Sequence, residues 1–120
     1  MTKSSAQSNM MTAVQLTNVS SDAQIGANVR IAPDAFIYAG AVIGDNVTIE
    51  PGVIIYENVS IGANSFIGAQ CILGERLSAY LSDPSYVNPP LTIGENSVIR
   101  SGTIIYASCT IGKGFQTGHR

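Results

Sequence analysis

An aliphatic residue recurs at every sixth position from Ile25 to Leu73 without interruption. Four residues after each one comes a small or β-branched residue, beginning with Val29 and Ala35. An α-helix does not produce this pattern, because its period of about 3.6 residues loses phase with six within two repeats. Simple strand alternation would place an apolar residue at every second position, and here the intervening positions are polar or turn-forming. The pattern therefore predicts short strands whose first and fifth positions point inward, joined by corners at positions three and four.

The residues at these corner positions support the same register. A type II turn needs a φ of roughly −60° at its first central residue, which proline supplies, and a positive φ at its second, which glycine and asparagine tolerate. Most of the corner pairs fit this preference: Ala27-Asn28, Pro33-Asp34, Ala39-Gly40, Asp45-Asn46, Pro51-Gly52, Glu57-Asn58, Ala63-Asn64 and Ala69-Gln70. The spacing of the apolar residues and the chemistry of the corner residues thus independently predict the same six-residue repeat.

A longer period, of three sixes, lies on top of the period of six. The motif that begins Ile25-Gly26 returns as Ile43-Gly44 and Ile61-Gly62, each three sixes after the last. Three sixes per turn give three flat faces, so the fold class is all-β, a parallel β-helix with the cross-section of a triangular prism. The coils stack about 4.8 Å apart. Counting the repeats to the end of the sequence gives about five coils.

Composition and charge narrow the class of protein and leave the predicted fold unchanged. The chain has 120 residues, 45% of them hydrophobic and 12% charged, with no tryptophan. This suits a single solenoid domain, which buries a thin column and not a broad core. The formal net charge is −2, and the sequence has no cluster of basic residues that could bind the phosphate backbone of a nucleic acid. Nucleic acid is therefore not an expected partner. No apolar run is long enough for a membrane span, and we expect a cytoplasmic protein.

Both cysteines, Cys71 and Cys109, occupy the inward fifth position of a six. By register they fall on different faces of different coils, which makes a disulfide between them geometrically unfavourable. The sequence therefore predicts two small buried thiols.

The regular repeat is interrupted once. After Leu73 the next aliphatic marker is Ile93, which comes much later than the expected sixth position, so fourteen positions are inserted. We expect residues 75–92 to form a loop that projects from the solenoid. The loop contains three prolines, two tyrosines and Arg76. A loop of this composition on a rigid scaffold favours a functional role over a passive surface excursion.

The two ends of the sequence lie outside the repeat or break it. Residues 1–12 are polar and aperiodic, and we expect them to form a disordered tail. The β-helix domain is predicted over residues 13–120. The sequence stops at Arg120 in the middle of a repeat without a capping element. We expect either a chain truncated at its C-terminus or another chain covering the end.

Candidate chemistry is sparse. His119 is the only histidine, and its phase places it at an outward corner above Ser101, with Arg100 beside that serine. A histidine can serve as a general base near neutral pH, although a lone exposed histidine is more often without a role. One histidine cannot form a metal triad, and the inward cysteines add no ligands, so we expect no metal cofactor.

Three tyrosines share a register position on the third face. Tyr38, Tyr56 and Tyr106 are predicted to form an outward ladder, which favours cross-strand stacking over chemistry.

The repeated Ile-Gly pattern resembles the hexapeptide-repeat acyltransferases over about five sixths of the chain; it occurs at Ile25, Ile43, Ile61, Ile93 and Ile111. The resemblance implies a left-handed solenoid, contrary to the usual preference for right-handed crossovers. It also implies a homotrimer in which acyl-CoA, most directly acetyl-CoA, lies along the solenoid between neighbouring subunits. A loop from one subunit reaches the next in such assemblies.

Residues 99–102 and 115–120 are similar to the branch of that family that acylates sugars and nucleotide sugars. In that branch a corner histidine is the catalytic base, and His119 matches its position. The resemblance implies acetyl transfer to an amino or hydroxyl group of a sugar or nucleotide sugar, by a single displacement. We predict a catalytic role for His119 and substrate binding by Arg100, Ser101, Asp83 and Tyr86.

Two other functions compete with acyl transfer. One is a non-catalytic or truncated β-solenoid that acts as a scaffold or interaction module. The other is a relative with carbonic-anhydrase-like activity, which needs several histidines and is nearly excluded by the presence of one. The sequence leaves open the acceptor, the acyl chain and the choice between N- and O-acylation.

Overall fold

The structure is a computed structural model, and it describes residues 18–117. The predicted tail over residues 1–12, the predicted start of the solenoid up to residue 17, and His119 lie outside the described residues. The described part contains 13 short strands and one 3₁₀ helix, Ser78–Leu81. The strands are β1 Gln24–Ile25, β2 Arg30–Ile31, β3 Phe36–Ile37, β4 Val42–Ile43, β5 Thr48–Ile49, β6 Ile54–Ile55, β7 Val59–Ile61, β8 Phe66–Ile67, β9 Ile72–Glu75, β10 Leu91–Ile93, β11 Val98–Ile99, β12 Ile104–Tyr106 and β13 Thr110–Ile111.

The strands form three parallel sheets, and each sheet collects every third strand. The first face contains β1, β4, β7, β10 and β13, the second contains β2, β5, β8 and β11, and the third contains β3, β6, β9 and β12. Ile25 pairs with Ile43, and Ile43 pairs with Ile61. Paired residues in the coils that precede the loop are therefore three six-residue repeats apart in the sequence. The predicted parallel β-helix of about five coils with three faces is confirmed.

The interior follows the predicted inward positions. The first-position residues Ile49, Ile55 and Ile67 are no more than 2% exposed, and the fifth-position residues Val47 and Val53 are fully buried. Each aliphatic side chain stacks on its equivalent one coil away, which removes most of its apolar surface from water. Burial is incomplete in the first described coil, where Ile25 is 38% exposed.

The corners confirm the turn assignment. Positive φ values occur at most of the predicted second corner residues, for example 60° at Asn46 and 75° at Gly52. Asp34 is not among the residues with positive φ in the described chain. Its carboxylate instead accepts a hydrogen bond from the backbone nitrogen of Gly52 in the next coil, at 3.1 Å. The asparagine corners are also linked side by side, since Asn46 Nδ2 donates to Asn64 Oδ1 at 3.1 Å.

The glycine of the Ile-Gly motif has a packing role that the sequence did not explain. Gly62 lies directly beneath the corner of the next coil, and a Cβ added there would overlap the backbone nitrogen of Glu95. Gly44 is similarly close to the coil above it, with 2.7 Å between such a Cβ and the nitrogen of Ala63. The motif therefore marks where the backbones of successive coils approach most closely.

The two cysteines differ in burial, which corrects one prediction. Both are free, as the register indicated, but Cys71 is buried and Cys109 is exposed. Cys109 precedes β13, the outermost strand of the first face, so no described coil covers it on that side. The prediction of two buried thiols is wrong for Cys109.

The inserted segment is shorter than predicted. Strand β9 continues to Glu75 and β10 begins at Leu91, so the loop comprises residues 76–90. The solenoid continues across it without loss of register, because Leu91 pairs with Val59 in the coil below.

Across residues 18–117, no helix has the length and apolar content needed to span a membrane.

Candidate functional site

The loop folds back onto the solenoid instead of projecting freely. It leaves at the third corner, which we define as the column of corners that follows the third face and includes Ala39-Gly40 and Glu57-Asn58. Asn88, only 4% exposed, is the main anchor. Its amide nitrogen donates to the carbonyls of Glu57 at 3.2 Å and Gly74 at 3.0 Å, and its backbone carbonyl accepts from Asn58 Nδ2 at 2.8 Å. These hydrogen bonds fix the end of the loop against two coils.

Tyr86, one of the predicted substrate-binding residues, also holds the loop together. Its hydroxyl accepts a hydrogen bond from the backbone nitrogen of Leu77 at 3.0 Å and donates to Asn88 Oδ1 at 2.5 Å. The hydroxyl therefore connects the outgoing and returning parts of the loop.

Asp83, another predicted substrate-binding residue, shapes the tip of the loop. Its carboxylate accepts hydrogen bonds from the backbone nitrogen of Ser85 at 2.9 Å and from the Ser85 hydroxyl at 2.7 Å. These two hydrogen bonds stabilise the charged form and lower the pKa of the Asp83 carboxyl. Asp83 does not line the cleft described below.

Arg76 joins the loop to the third face. Its guanidinium forms an ion pair of 2.8 Å with Glu57 Oε2. The guanidinium carbon also lies 4.3 Å from the ring centroid of Tyr56 and 4.5 Å from that of Tyr80, within the range of cation–π contact. The other carboxylate oxygen of Glu57, Oε1, is buried and has no hydrogen-bond partner among residues 18–117. Glu57 and Arg76 were not predicted as a pair.

The predicted tyrosine ladder has two members and not three. Tyr38 and Tyr56 stack with ring centroids 5.1 Å apart. Tyr106 is instead paired in register with Glu75, after an irregularity in the ladder between β9 and β12, and it is 54% exposed. Gly74 occupies the equivalent position in the coil between them, so no ring connects Tyr56 to Tyr106. Burial raises the pKa of the Tyr56 phenol, and the nearby Glu75 carboxylate raises it further.

A cleft of about 500 Å³ lies between the loop and the third corner. Asp22, Gly40 and Glu57 line it on the side of the coils, and Tyr80 and Tyr86 line it on the side of the loop. Of the four predicted substrate-binding residues, only Tyr86 contributes to this cleft.

We number the coils from Ile25, so that coils one and two are residues 25–42 and 43–60, coil three begins at Ile61 and coil four is residues 93–110. Arg100 and Ser101 lie in coil four at the second corner, the column of corners that follows the second face. Both are exposed. The backbone nitrogen of Arg100 donates to Thr117 Oγ1 at 2.7 Å, and its carbonyl accepts from Cys71 Sγ at 3.0 Å and from Thr103 Oγ1 at 2.7 Å. The peptide groups around Arg100 are therefore held by Thr103 and Thr117, which the sequence did not single out, and by the buried thiol of Cys71.

The structure separates the predicted substrate-binding residues into two groups. Arg100 and Ser101 share the second corner, whereas Asp83 and Tyr86 belong to the loop at the third. Asn88 and Glu57, which position the loop, were missed. Glu57 could have been noticed, because it replaces the alanine found at the equivalent corner position, Ala39, one coil below.

In the part of the chain from residue 18 to 117, there is no cluster of three or more side chains that could bind a metal ion.

Residues 22–55 and 40–75 match the family of bacterial transferase hexapeptide repeats, described as six repeats. Together the two matched segments span residues 22–75, somewhat less than half of the chain. The matched segments coincide with coils one to three, where the structure has the uninterrupted period of six. Among curated protein sequences, none matches the chain at a significant level.

Several solved structures resemble this chain, including the following three. One is LpxA, a UDP-N-acetylglucosamine acyltransferase from Bacteroides fragilis, with a TM-score of 0.72 and 26% sequence identity over 82% of this chain and 40% of that one. The acetyltransferase domain of PglB from Neisseria gonorrhoeae in complex with acetyl coenzyme A has a TM-score of 0.54 and 22% identity, over 82% of this chain and 49% of that one. The same domain in a second structure has a TM-score of 0.52 and 22% identity over the same shares.

These similarities confirm the expected fold, a left-handed parallel β-helix. The chain spans less than half the length of each of these proteins, 40% of LpxA and 49% of the PglB domain.

Proposed function

We propose that this chain belongs to the hexapeptide-repeat acyltransferases and is an acyl-CoA-dependent enzyme that acts on a sugar or nucleotide sugar. The observation that carries the proposal is the similarity to LpxA, at 26% identity across 82% of the chain, together with the hexapeptide match. The PglB domain, which has acetyl coenzyme A in its structure, favours acetyl-CoA as the donor, although at 22% identity it supports the fold more than the chemistry.

We place the reaction at the second corner, above Ser101. In this proposal His119 is the general base and Arg100 and Ser101 contact the acceptor. One of the hydrogen bonds that fix the backbone of Arg100 is accepted by Thr117, two residues before His119 in the sequence. A fixed backbone near the base supports the proposal, because general-base catalysis requires the base to stay within hydrogen-bond reach of the acceptor proton. Substrate binding by Asp83 and Tyr86 stays a prediction.

The proposed reaction is a single displacement. Neutral His119 takes a proton from the acceptor amine or hydroxyl as the acceptor nitrogen or oxygen attacks the thioester carbonyl. A new C–N or C–O bond forms, the C–S bond breaks, and the CoA thiolate leaves and receives the proton from the imidazolium. Binding both substrates side by side contributes much of the acceleration.

We further propose that the protein is a homotrimer that buries its third face. The outward strand positions of this face are all apolar: Phe36, Ile54, Ile72 and Ile104. Phe36 is 46% and Ile104 is 52% exposed. The first and second faces carry polar residues at several equivalent positions, for example Ser60 and Thr48. A continuous apolar strip on one face favours burial against another subunit.

A cytoplasmic location stays a prediction.

Acetyl-CoA binding and acetyl transfer test the proposal together. Acetyl-CoA should raise the melting temperature of the protein, because a ligand that binds only the native state stabilises it by mass action. Mass spectrometry should then detect acetylated product when amino sugars and nucleotide sugars are supplied as acceptors. Mass spectrometry is preferable to thiol reagents because Cys109 is exposed and would react with them. A protein that neither binds acetyl-CoA nor yields any acetylated sugar would favour the scaffold function.

A further inference from the structure

The cleft at the third corner is a second candidate site, separate from the corner proposed for catalysis. On the side of the coils its lining residues fall within residues 22–58, whereas Ser101 belongs to coil four and to the second corner. Its volume of about 500 Å³ falls within the range of roughly 300–1,000 Å³ that is typical of small-molecule sites. The third corner and the loop thus enclose a space that the proposed reaction does not use.

The walls of this cleft are fixed in place. Asn88 attaches the loop to two coils through hydrogen bonds that include one of 2.8 Å with Asn58 and one of 3.2 Å with Glu57. The Arg76–Glu57 ion pair of 2.8 Å attaches the first residue of the loop to the coil below it. Tyr86 ties Leu77 to Asn88 within the loop. The cleft is therefore preformed, and a ligand that enters it does not have to order the loop first.

The charges in the cleft disfavour phosphate. Asp22 and Glu57 contribute two carboxylates, and Arg76 contributes the one guanidinium among the residues that line it. That guanidinium is already paired with Glu57, whereas the Asp22 carboxylate has no hydrogen-bond or ion-pair partner among residues 18–117. The net charge of the lining is therefore negative, which repels a nucleotide or the phosphates of CoA.

The remaining lining suits a ring with many hydroxyl groups. The Tyr80 ring contacts the Arg76 guanidinium at 4.5 Å and forms a T-shaped contact with Tyr86, with ring centroids 5.6 Å apart. Its side chain is nevertheless 48% exposed, and the exposed part of the ring forms an aromatic wall of the cleft. The C–H face of a sugar ring can pack on such a wall. The free Asp22 carboxylate can accept charge-assisted hydrogen bonds from hydroxyl or ammonium groups. Apolar contact on one side and an unpaired acceptor on the other are the features that orient a ligand in a small-molecule site.

We infer that this cleft binds a neutral sugar or an amino sugar that carries no phosphate. The ring packs on Tyr80, and its hydroxyl or ammonium groups donate to Asp22. This site goes beyond the proposed function, because it lies at another corner and at a lower level of the prism than Ser101.

Direct binding tests the inference without any acyl donor. The ¹H–¹⁵N spectrum of the protein is titrated with N-acetylglucosamine, with glucosamine and with UDP as a phosphate-bearing probe. We expect saturable shifts at residues 76–90 and at the third corner for at least one sugar, and none there for UDP. Asp22→Asn should weaken sugar binding by about tenfold, the effect of losing one charge-assisted hydrogen bond. Tyr80→Leu, which keeps an apolar side chain but removes the aromatic ring, should weaken it to a similar degree.

Glu95→Gln is the matched control for charge, because it neutralises an exposed carboxylate at the first corner, away from the cleft. It should leave sugar binding unchanged. The inference is overturned if no sugar gives saturable shifts at the cleft, if Asp22→Asn and Tyr80→Leu bind as tightly as the wild type, or if UDP binds there as well as the sugars. Any of these results leaves the acyltransferase proposal standing, because no acyl donor is present. Conversely, loss of acetyl transfer with intact sugar binding would remove the proposed function alone.

Discussion

The guanidinium of Arg76 lies over the ring of Tyr56, with 4.3 Å between the guanidinium carbon and the ring centroid. Arg76 directly follows the last residue of strand β9, so this contact joins the first residue of the loop to the coil below. The guanidinium also contacts Tyr80 of the 3₁₀ helix, at 4.5 Å. One side chain thus connects the solenoid to the first turn of the loop.

Removing this contact should loosen the loop without unfolding the coils. Arg76→Met keeps a long side chain but removes the ion pair with Glu57 and the cation–π contacts with the rings. We expect a loss of stability of about 1–2 kcal/mol, since cation–π contacts and partly exposed ion pairs each contribute on the order of 1 kcal/mol. Hydrogen exchange measured by mass spectrometry should accelerate in residues 76–90 and stay unchanged in the strands.

Arg30→Met is the control for that experiment. Arg30 is exposed on the second face, and its side chain forms no hydrogen bond or ion pair with the rest of the described chain. Exchange in the loop should not change in this variant. If Arg76→Met leaves exchange in the loop as slow as in the wild type, Arg76 does not hold the loop in place.

The Ile-Gly motif should tolerate alanine only where no coil lies above it. Gly62→Ala would place a Cβ against the backbone nitrogen of Glu95, whereas Gly112→Ala meets no atom within 4 Å among the described residues. Overpacking against a backbone that cannot move away costs about 1–3 kcal/mol or more. Chemical denaturation should therefore show a clear loss of stability for Gly62→Ala and little change for Gly112→Ala. Equal stabilities would contradict the close stacking of the coils.

The two cysteines should react at different rates in the native protein. Burial raises the pKa of the Cys71 thiol, so the reactive thiolate is scarcer there, and the sulfur is shielded from reagents. Cys109 is exposed. Iodoacetamide should modify one cysteine per native chain and two per chain in denaturant, and Cys109→Ser should abolish the native reaction. Modification of Cys71 under native conditions would show that the prism opens at coil three.

The raised pKa of Cys71 also gives a pH dependence with a defined sign. The folded state favours the neutral thiol of Cys71, so its contribution to stability is complete below the ordinary thiol pKa. The contribution is lost as the pH rises through the raised value. The free energy of unfolding should therefore fall at alkaline pH, and Cys71→Ala should reduce that part of the decline.

Charge on the third face should disrupt the proposed trimer. Ile104→Glu changes an exposed outward position, so the coils should stay folded, but a carboxylate buried between subunits without a partner is strongly unfavourable. Sedimentation velocity should show a trimer for the wild type and a monomer for this variant. Val42→Glu places the same charge at a 39% exposed position of the first face and should remain trimeric. A wild-type protein that is monomeric at all concentrations would remove the trimer.

Loss of the proposed base should affect turnover and not donor binding. His119→Ala should lower turnover by roughly 10²–10⁴, the range for a general base. The affinity for acetyl-CoA, measured by thermal shift, should change little. The pH profile of turnover should also lose its limb near the histidine pKa. Full turnover in this variant would show that the acceptor reacts without a protein base and that His119 is an ordinary corner residue.

The predicted site residues show where sequence reasoning reaches its limit. The register of the repeat placed Ser101 at a corner with Arg100 beside it, and the structure finds them together at the second corner. Asp83 and Tyr86 were selected because they belong to a loop rich in proline and aromatic residues, and that composition does not say which way a loop folds. In the structure Asp83 and Tyr86 use their polar groups to hold the loop, and Asn88, which no pattern marked, anchors it.

The stacking of the coils could be predicted from the periodicity of the sequence. A period of six that is repeated in threes stacks each inward residue on its equivalent three sixes away, so the register of Ile43 also defines that of Ile61. The handedness of the solenoid was implied by the family resemblance, because a left-handed and a right-handed coil have the same periodicity. The position of the loop and the burial of individual side chains could be described only from the structure, because they do not follow the repeat. Inserted residues have no equivalents to stack on, so the position of the loop depends on contacts such as Arg76 with Tyr56 and Asn88 with Glu57. Burial likewise depends on a neighbouring coil, and for this reason Cys71 and Cys109, equivalent in the repeat, differ in the structure.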